Sequence, residues 1–282
     1  MNLQPGKTAV DYLIVGHITR DIIEKGFRLG GTAVYSGILA KRMGLNVGLV
    51  TSYNEETPVE PLNGIQIINQ RAKRTTTFKN NYTPSGREQF ILERAKPLGL
   101  NQIPAEWRVA KIVHLGPVAR EISLEIGFNF PGAALCFSLQ GWLREWDRKG
   151  LIQPSPFPKM NNSFAENTAA FLSIEDLGFN RSLIDPLRSL FPLLVLTKGN
   201  TGAEIFWQEK TISIPVKPKD EVDPTGAGDI FAAAFMINYV LKGKKLLESA
   251  QTASALAAIS VTRPGIEGIP TAAEIQSIQE VH

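Results

Sequence analysis

The sequence predicts an α/β fold with a largely parallel sheet. Short apolar runs of β-type residues alternate with helical stretches along the whole chain, which is the pattern of parallel strands joined by right-handed crossovers. The chain has 282 residues, of which 43% are hydrophobic. This length and composition fit one large α/β domain or two ordinary ones, and we expect a single domain over residues 1–282.

Buried strands are predicted where the apolar β-type runs occur. The first, Val10–Gly16, is followed by a polar segment that contains Asp21. Ligands of open α/β sheets bind outside the carboxyl ends of the strands, so Asp21 is a candidate ligand-binding residue. The same apolar pattern recurs in five further runs, which are Leu45–Ser52, Lys111–Leu115, Ala133–Ser138, Ala169–Ser173 and Leu193–Lys198.

Helices are predicted for three longer stretches. Ala33–Met43 is followed by Gly44, a common helix stop. Ile230–Leu241 contains no Gly or Pro and is apolar on nearly every side, which is typical of a buried helix. Leu246–Val261 carries mostly small side chains that permit close packing. Trp142–Lys149 is short and amphipathic, and its two tryptophans at positions i and i+4 indicate packing rather than ligand stacking.

Two hairpins are predicted. Thr75–Tyr82 and Glu88–Leu92 flank the turn-forming residues 84–87, and their polar and apolar residues alternate as in a half-exposed sheet. Ala203–Trp207 and Lys210–Pro215 form the second pair.

Composition excludes several classes of protein. The net charge is +3, from 30 basic and 27 acidic residues that are interspersed, so a nucleic-acid partner is not expected. The single cysteine, Cys136, excludes an internal disulfide, and three widely separated histidines show no metal-ligand spacing. No run has the length of a membrane span or the pattern of a secretory signal. We therefore expect a cytoplasmic protein without a membrane partner.

The segment Asp223-Pro-Thr-Gly-Ala-Gly-Asp229 carries the main chemical signal. Pro224 ends any preceding strand, and the two glycines let backbone N–H groups surround a small ligand. Because a buried helix follows, these N–H groups lie at the positive end of its dipole, where anions bind. Asp229 falls in the first turn, beside that anion. An anion site next to a carboxylate suggests phosphoryl transfer, with Asp229 accepting the proton of an attacking hydroxyl. The alternative is an aspartate that only caps the helix.

This segment resembles the C-terminal signature of the ribokinase-like (PfkB) carbohydrate kinase family, usually D-T-x-G-A-G-D, from which it departs at Pro224. The resemblance implies a three-layer αβα fold with a small β lid formed by residues near 25–30 and 75–95. It implies an ATP-dependent kinase in which Asp229 is the base and Gly226, Ala227 and Gly228 form the anion hole.

The resemblance also implies binding residues for both substrates. Asp21, Gly30, Gly31 and Tyr35 would contact the phosphate acceptor, although Tyr35 and Ser36 stand where many members have an Asn. The stretch Thr197-Lys-Gly-Asn-Thr-Gly202 is similar to the nucleotide turn T-x-G-x-x-G. The implied nucleotide-binding residues are Thr197, Gly199, Gly202, Thr225 and Ala257, with Lys198 and Asn200 as weaker candidates.

The same resemblance implies that the protein binds two cations. A degraded N-x-x-E motif at residues 173–176 implies that Asp176 or Glu175 holds a water bound to Mg²⁺, a cation that uses few carboxylates. The alternative is that Glu175 and Asp176 bind no metal and only stabilise the start of a helix through its dipole. A monovalent cation such as K⁺ would lie near Asp223 and Thr225. Lid strands of the family often pair across a homodimer.

The acceptor is expected to be a small sugar or polyol. The form V-D-P-T-G-A-G-D and the missing Asn after Gly31 resemble the myo-inositol kinases of the family, which places inositol ahead of monosaccharides. A nucleoside kinase is an alternative, with Phe27 or Tyr35 as a clamp on the base. A catalytically inactive sensor of nucleotide or sugar is another. A dinucleotide-binding Rossmann protein is poorly supported, since no G-x-G-x-x-G follows the first strand.

Overall fold

A nine-stranded sheet forms the centre of the structure, a computed structural model that describes residues 9–83 and 86–281. The strands, in chain order, are β1 (Tyr12–Val15), β2 (Thr19–Ile23), β3 (Gly26–Gly30), β4 (Val47–Thr51), β5 (Gln66–Asn69), β6 (Thr76–Thr83), β7 (Gly86–Glu93), β8 (Ile112–Leu115), β9 (Ala134–Ser138), β10 (Arg144–Trp146), β11 (Ile152–Pro154), β12 (Thr168–Ser173), β13 (Leu193–Thr197), β14 (Ala203–Trp207) and β15 (Lys210–Ile214). The helices are α1 (Thr32–Arg42), α2 (Ile184–Leu190), α3 (Ala227–Met236), α4 (Leu246–Ser260) and α5 (Ala272–Val281).

The central sheet has the strand order β15-β14-β13-β12-β9-β8-β1-β4-β5. It is parallel from β13 to β5, and only β14, which pairs antiparallel with both β13 and β15, runs in the opposite direction. Strand β1 lies between β8 and β4, inside the sheet, and all four of its residues are buried. Burial on both faces explains why the strands read as continuous apolar runs. All six predicted strands are present, with ends that differ by at most two residues.

Two hydrophobic layers cover the sheet. On one face, α1, α3, α4 and α5 pack against residues such as Ile14 and Phe171. On the other face, Trp107, Phe137 and Phe191 are fully buried beneath α2 and short 3₁₀ turns. The three-layer αβα fold class is thus confirmed.

A separate four-stranded sheet has the order β3-β2-β6-β7. Strands β2 and β3 are antiparallel, β2 and β6 are parallel, and β6 and β7 form the predicted hairpin. The tip of that hairpin, residues 84 and 85, lies outside the described residues. The predicted lid residues therefore share one small sheet, and β2 is a strand of this sheet that the sequence analysis did not predict.

The helix predictions need three corrections. The helix predicted to start at Ile230 begins at Ala227, and its last part, Ile237–Leu241, is π-helical. The amphipathic stretch 142–149 is not helical, because β10 turns back through Gly150, which has a φ of 84°, to pair with β11. Helices α2 and α5 were not predicted, since α2 has only seven residues and each helix buries few side chains, Ile184 and Leu187 in α2 and Ile275 in α5.

Among residues 9–83 and 86–281, no helix combines the length and apolarity that a membrane crossing requires.

Candidate active site

The glycine turn lies at the start of α3, with Gly226 as its N-cap residue. Gly226 has a φ of 83°, and a Cβ added there would lie 2.3 Å from the ring of Tyr35. Both the backbone conformation and the packing therefore require glycine. The first N–H groups of a helix have no partner within it, and they point outward along the axis here. Gly228 faces open space, since a Cβ at this position would meet no atom within 4 Å.

Asp229 is held by two hydroxyl groups from one face of α1. The Thr32 hydroxyl hydrogen-bonds its carboxylate, and the Ser36 hydroxyl donates to its main-chain oxygen at 3.1 Å. Thr32 and Ser36 are four residues apart and thus lie above one another on the helix. The carboxylate is therefore fixed in the first turn of α3, beside the backbone N–H groups at the start of that helix.

The surroundings of Asp229 make its carboxyl group a weaker acid than usual. Burial raises its pKa from 3.8 to about 6, the Thr32 hydrogen bond opposes that rise, and the negative charge of Asp176 adds to it. Arg144 lies close enough to lower the same pKa. Part of the Asp229 surface faces the adjoining cavity, where an attacking hydroxyl would need a base.

A cavity of about 290 Å³ opens in front of the turn. It lies between the lid, the carboxyl ends of the central strands and the start of α3. The structure brings all of the main predicted site residues except Gly30 to its wall. Lys198 and Asp223, suggested for a phosphate group and a monovalent cation, also lie outside it. The predicted residues that line it are Asp21, Gly31, Tyr35, Glu175, Asp176, Thr197, Gly199, Gly202, Thr225, Gly226, Ala227, Gly228, Asp229 and Ala257. Their chemical roles stay predictions.

The Gly30-Gly31 pair is required by packing within the protein. A Cβ on Gly30 would lie 2.4 Å from the Asp21 carboxylate, and one on Gly31 would lie 2.6 Å from the His17 carbonyl oxygen. Asp21, predicted only to lie in a polar segment after the first strand, is part of lid strand β2. The glycines thus let the Asp21 carboxylate lie against the backbone at the cavity wall.

The two aromatic residues considered as clamps have other positions. Tyr35 is only 2% exposed, and its ring lies beneath the glycine turn. Phe27 is not among the lining residues, and the Arg20 guanidinium lies 4.5 Å from its ring centre. The lid aromatic residue at the cavity is Phe78.

The lid also contributes two carboxamides that the sequence analysis missed. Asn80 and Gln89 are directly opposite each other on β6 and β7, and the Gln89 amide donates to the Asn80 carbonyl at 3.0 Å. Asn80 lies two residues after Phe78, hence on the same face of the strand. All three side chains belong to residues that line the cavity.

The predicted nucleotide turn lies at the other end of the cavity. Gly199 and Gly202 have φ values of 55° and 90°, which favour glycine. The neighbouring wall consists of small apolar residues: Val216, Ala257, Ala258 and Val261. Lys198 is not among the residues that line the cavity, and its ammonium group pairs with Glu204 at 2.8 Å. The phosphate contact suggested for it stays a prediction.

Asp176 forms a reciprocal pair with Ser173. The Ser173 N–H donates to the Asp176 carboxylate at 2.8 Å, and the Asp176 N–H donates to the Ser173 hydroxyl at 3.1 Å. The other carboxylate oxygen accepts from Gln140 at 3.3 Å. In the part of the chain that the structure describes, no three or more His, Cys, Asp or Glu residues cluster as metal ligands. Asp176 and Glu175 fit a cation that binds mainly through water and phosphate oxygens.

Arg144 and Thr32 are the other residues that sequence reasoning missed at Asp229. Thr32 had a local signal, since it is a hydroxyl residue directly after Gly30-Gly31 at a helix start. Arg144 had none, because its position depends on the β10–β11 hairpin. A guanidinium near Asp229 and the turn is suited to an anionic group between them.

A buried chain of hydrogen bonds crosses three strands below the site. The Tyr12 hydroxyl and His114 Nδ1 are 2.9 Å apart, and His114 Nε2 and the Ser138 hydroxyl are also 2.9 Å apart. Burial lowers the pKa of His114 to about 3. The imidazole is therefore neutral at ordinary pH, with one nitrogen as donor and the other as acceptor.

The loops after β1 and β8 are joined by the buried carboxylate of Glu121. It accepts hydrogen bonds from the N–H groups of His17, Val118 and Ala119, at distances of 2.7–3.0 Å. Because Val118 and Thr19 both line the cavity, Glu121 fixes the wall of the site from behind.

Comparisons with known proteins agree with this arrangement. A model of the pfkB family carbohydrate kinases matches residues 186–272. A nucleoside kinase of Methanothermobacter thermautotrophicus is 39% identical over 305 residues, covering 96% of this chain and 93% of the relative. A cytidine kinase of Thermococcus kodakarensis is 26% identical over 262 residues, covering 85% and 91%.

Solved structures show the same fold. Arabidopsis thaliana ribokinase complexed with ribose and ATP has a TM-score of 0.71 at 18% identity, covering 96% of this chain and 99% of that one. A pyrophosphate-dependent ribokinase-family kinase complexed with a pyrophosphate analogue and myo-inositol has a TM-score of 0.73 at 19% identity, covering 91% and 98%. The chain therefore belongs to the PfkB, or ribokinase-like, family of carbohydrate kinases and is a phosphotransferase that acts on an alcohol group.

Proposed function

We propose that the protein transfers the γ-phosphoryl group of ATP to a hydroxyl group of a nucleoside. The observation that carries this proposal is the lid wall formed by Phe78, Asn80 and Gln89. The two relatives that match more than nine-tenths of their own length, named nucleoside kinase and cytidine kinase, support it. This choice reverses the order of the sequence analysis, which placed polyols before nucleosides.

The carboxamide pair in the lid is complementary to a nucleobase edge. The Gln89 amide donates to the Asn80 carbonyl, which leaves the Asn80 amide as a donor and the Gln89 carbonyl as an acceptor. If both carboxamides are rotated by half a turn, so that oxygen and nitrogen exchange places in each, one donor and one acceptor still remain for the ligand. The base-pairing edges of cytosine, uracil and adenine each present a donor beside an acceptor. Phe78 supplies the apolar surface on which a base can lie.

A nucleoside triphosphate is favoured over pyrophosphate as the donor. Pyrophosphate consists of charged oxygens and gains nothing from an apolar wall. The residues Val216, Ala257, Ala258 and Val261 form such a wall beside the glycine turn of β13. Small side chains there leave space for a flat ring.

The groups at the start of α3 would carry out the phosphoryl transfer. The Asp229 carboxylate accepts the proton of the attacking hydroxyl group. The N–H groups of the glycine turn, with Arg144, stabilise negative charge on the phosphoryl group in transit. Asp176 and Glu175 would hold Mg²⁺, which supplies positive charge to the donor phosphates. The lid excludes water that would otherwise compete as acceptor.

Turnover should depend on the protonation of Asp229. The base works only when it is deprotonated, and its pKa is raised to about 6. We therefore expect kcat/KM to rise tenfold per pH unit below about pH 6 and to level off above it. A pH profile of kcat/KM at low acceptor concentration measures this. A profile that stays flat down to pH 4.5 would remove Asp229 from the role of base.

Replacing Asn80 by Ala should weaken nucleoside binding selectively. One hydrogen bond to the base is lost and the Gln89 amide loses its partner, so KM for the nucleoside should rise by about 10- to 100-fold. KM for a free sugar, which has no base, should not change. Asn81→Ala is the matched control, because Asn81 is the next residue on β6 and points to the opposite face. Equal effects of the two variants would contradict the base-reading role.

The proposed function is tested by ADP release with ATP and Mg²⁺ over a panel of acceptors. Cytidine, uridine, adenosine, ribose, fructose and myo-inositol separate the substrate classes. Pyrophosphate replaces ATP in a parallel series, in which turnover is measured as the phosphorylated acceptor that forms. We expect turnover with a nucleoside and ATP. Turnover only with myo-inositol, or only with pyrophosphate, would overturn the proposal. Nucleotide binding by calorimetry without turnover on any acceptor would instead indicate a sensor.

A further inference from the structure

Lid strand β3 is connected to the phosphoryl site by an ion pair. The Arg28 guanidinium lies 3.3 Å from the Asp223 carboxylate, and the two side chains are 45% and 16% exposed. Arg28 stands opposite Asp21 in the β2–β3 register, so both side chains leave the same face of the lid. That face is the one toward the cavity, which Asp21 lines.

Asp223 joins three segments of the chain. One carboxylate oxygen accepts from the Thr225 N–H at 3.0 Å. The other accepts from the Gly265 N–H at 2.9 Å and from Arg28. The N–H groups of Val222 and Asp223 donate to the Val261 carbonyl at 2.8 and 3.1 Å. The conformation of the glycine turn therefore depends on a compensated charge at Asp223.

The Asp223 site does not fit the monovalent cation that the family resemblance implies. An alkali cation binds to oxygen atoms with available lone pairs. Here the Asp223 Oδ2 atom already accepts from the Gly265 N–H and from the Arg28 guanidinium, so the guanidinium occupies the lone pair that a cation would use. A second positive charge beside Arg28 would be repelled. The positive charge that the resemblance assigns to a bound monovalent cation is thus supplied by a side chain of the protein, the Arg28 guanidinium.

We infer that Arg28 is a built-in cation that takes the place of the monovalent ion. It compensates the charge of Asp223, keeps the glycine turn in its anion-binding form and ties the lid to that turn. The inference rests on the proposed kinase function. It assigns to Arg28 the role of a positioning residue, since it acts through Asp223 and not on the reacting atoms.

The test compares cations in the wild type and in Arg28→Gln. Assays contain about 0.1 M KCl, NaCl or tetramethylammonium chloride, so that screening is equal and only ion identity differs. The wild type should show the same kcat in all three. In tetramethylammonium, Arg28→Gln should lose about 10-fold or more in kcat, the worth of a hydrogen bond between charged groups. K⁺ should restore much of that loss.

Arg74→Gln is the matched control. Arg74 also forms a lid ion pair, with Glu93 at 2.7 Å, but on the outer surface. This variant should keep wild-type activity and show no response to K⁺. If Arg74→Gln behaved like Arg28→Gln, the effect would be a general one of lid charge and the inference would be wrong.

Thermal unfolding gives a readout that needs no turnover. The melting temperature of the wild type should not differ between KCl and tetramethylammonium chloride, whereas that of Arg28→Gln should be higher in KCl. Activation of the wild type by K⁺ would overturn the inference, and so would an Arg28→Gln loss that K⁺ does not restore. Absence of wild-type turnover with every acceptor would overturn the proposed function alone, and the melting data would still decide the role of Arg28.

Discussion

Asp229→Asn is expected to lower kcat by about 10²- to 10⁴-fold, the usual worth of a general base. The same variant should be more stable than the wild type at neutral pH. The pKa of Asp229 is about 6 in the folded protein and 3.8 otherwise. Above pH 6 the folded state thus carries a carboxylate that it holds less favourably than the unfolded chain does. Asn removes this cost and still offers an oxygen to the Thr32 hydroxyl.

The gain in stability should be about 1–2 kcal/mol, less than the full pKa shift implies because part of the group faces the cavity. It should appear as a melting temperature a few degrees higher at pH 8 and should vanish below pH 4. Turnover is measured by ADP release and unfolding by calorimetry. Near-normal turnover in a folded Asp229→Asn protein would exclude the proposed mechanism.

Gly228→Ala should fold normally and still lose about 10²- to 10³-fold in kcat, the effect of losing one donor of an anion hole. Gly228 lies in the first turn of α3 without a left-handed backbone, and no protein atom lies within 4 Å of the position of an added Cβ. The free protein therefore tolerates the methyl group. The bound phosphoryl group does not, because the methyl group projects into the space in front of the N–H groups.

Gly132→Ala is the control for this variant. Gly132 also has no atom within 4 Å of an added Cβ and no left-handed backbone, but it is not among the residues that line the cavity. Its kcat should match the wild type. Gly228→Ala should melt at or slightly above the wild-type temperature, since Ala favours a helix by up to about 1 kcal/mol. Full activity of Gly228→Ala would show that no anion lies at the turn during reaction.

The parts of the fold that follow local periodicity could be predicted from sequence. Apolar strands such as Tyr12–Val15 and the helix after Gly228 are specified by their own residues. The residues that gather at one end of the sheet follow from the parallel arrangement alone. Pairing over long distance could not be predicted. The strand character of β10, for example, depends on a partner strand with few apolar residues of its own.

The contacts between side chains distant in sequence could not be predicted either. Alternation on β6 shows that Phe78 and Asn80 share a face, but not that this face turns toward the cavity. Lys198 next to a glycine turn has the composition of a phosphate contact, and only the antiparallel pairing of β13 with β14 reveals that Glu204 holds it. Arg28 gave no signal, because Asp223 is 195 residues away in sequence.

The neutral His114 below the site has a consequence for the exchange of protons with solvent on unfolding. Between about pH 3 and 6.5 the unfolded chain binds a proton at this imidazole that the folded protein excludes, so stability should rise with pH. Between 3.8 and about 6, Asp229 does the opposite and releases a proton on unfolding. Near pH 5 the two exchanges nearly cancel in the wild type. In Asp229→Asn only the histidine remains, and the stability of the variant relative to the wild type should rise by about 1–2 kcal/mol in total from pH 4 to neutral pH. The opening of one polypeptide thus moves a proton between two of its buried groups, and melting temperatures across this pH range would record the transfer.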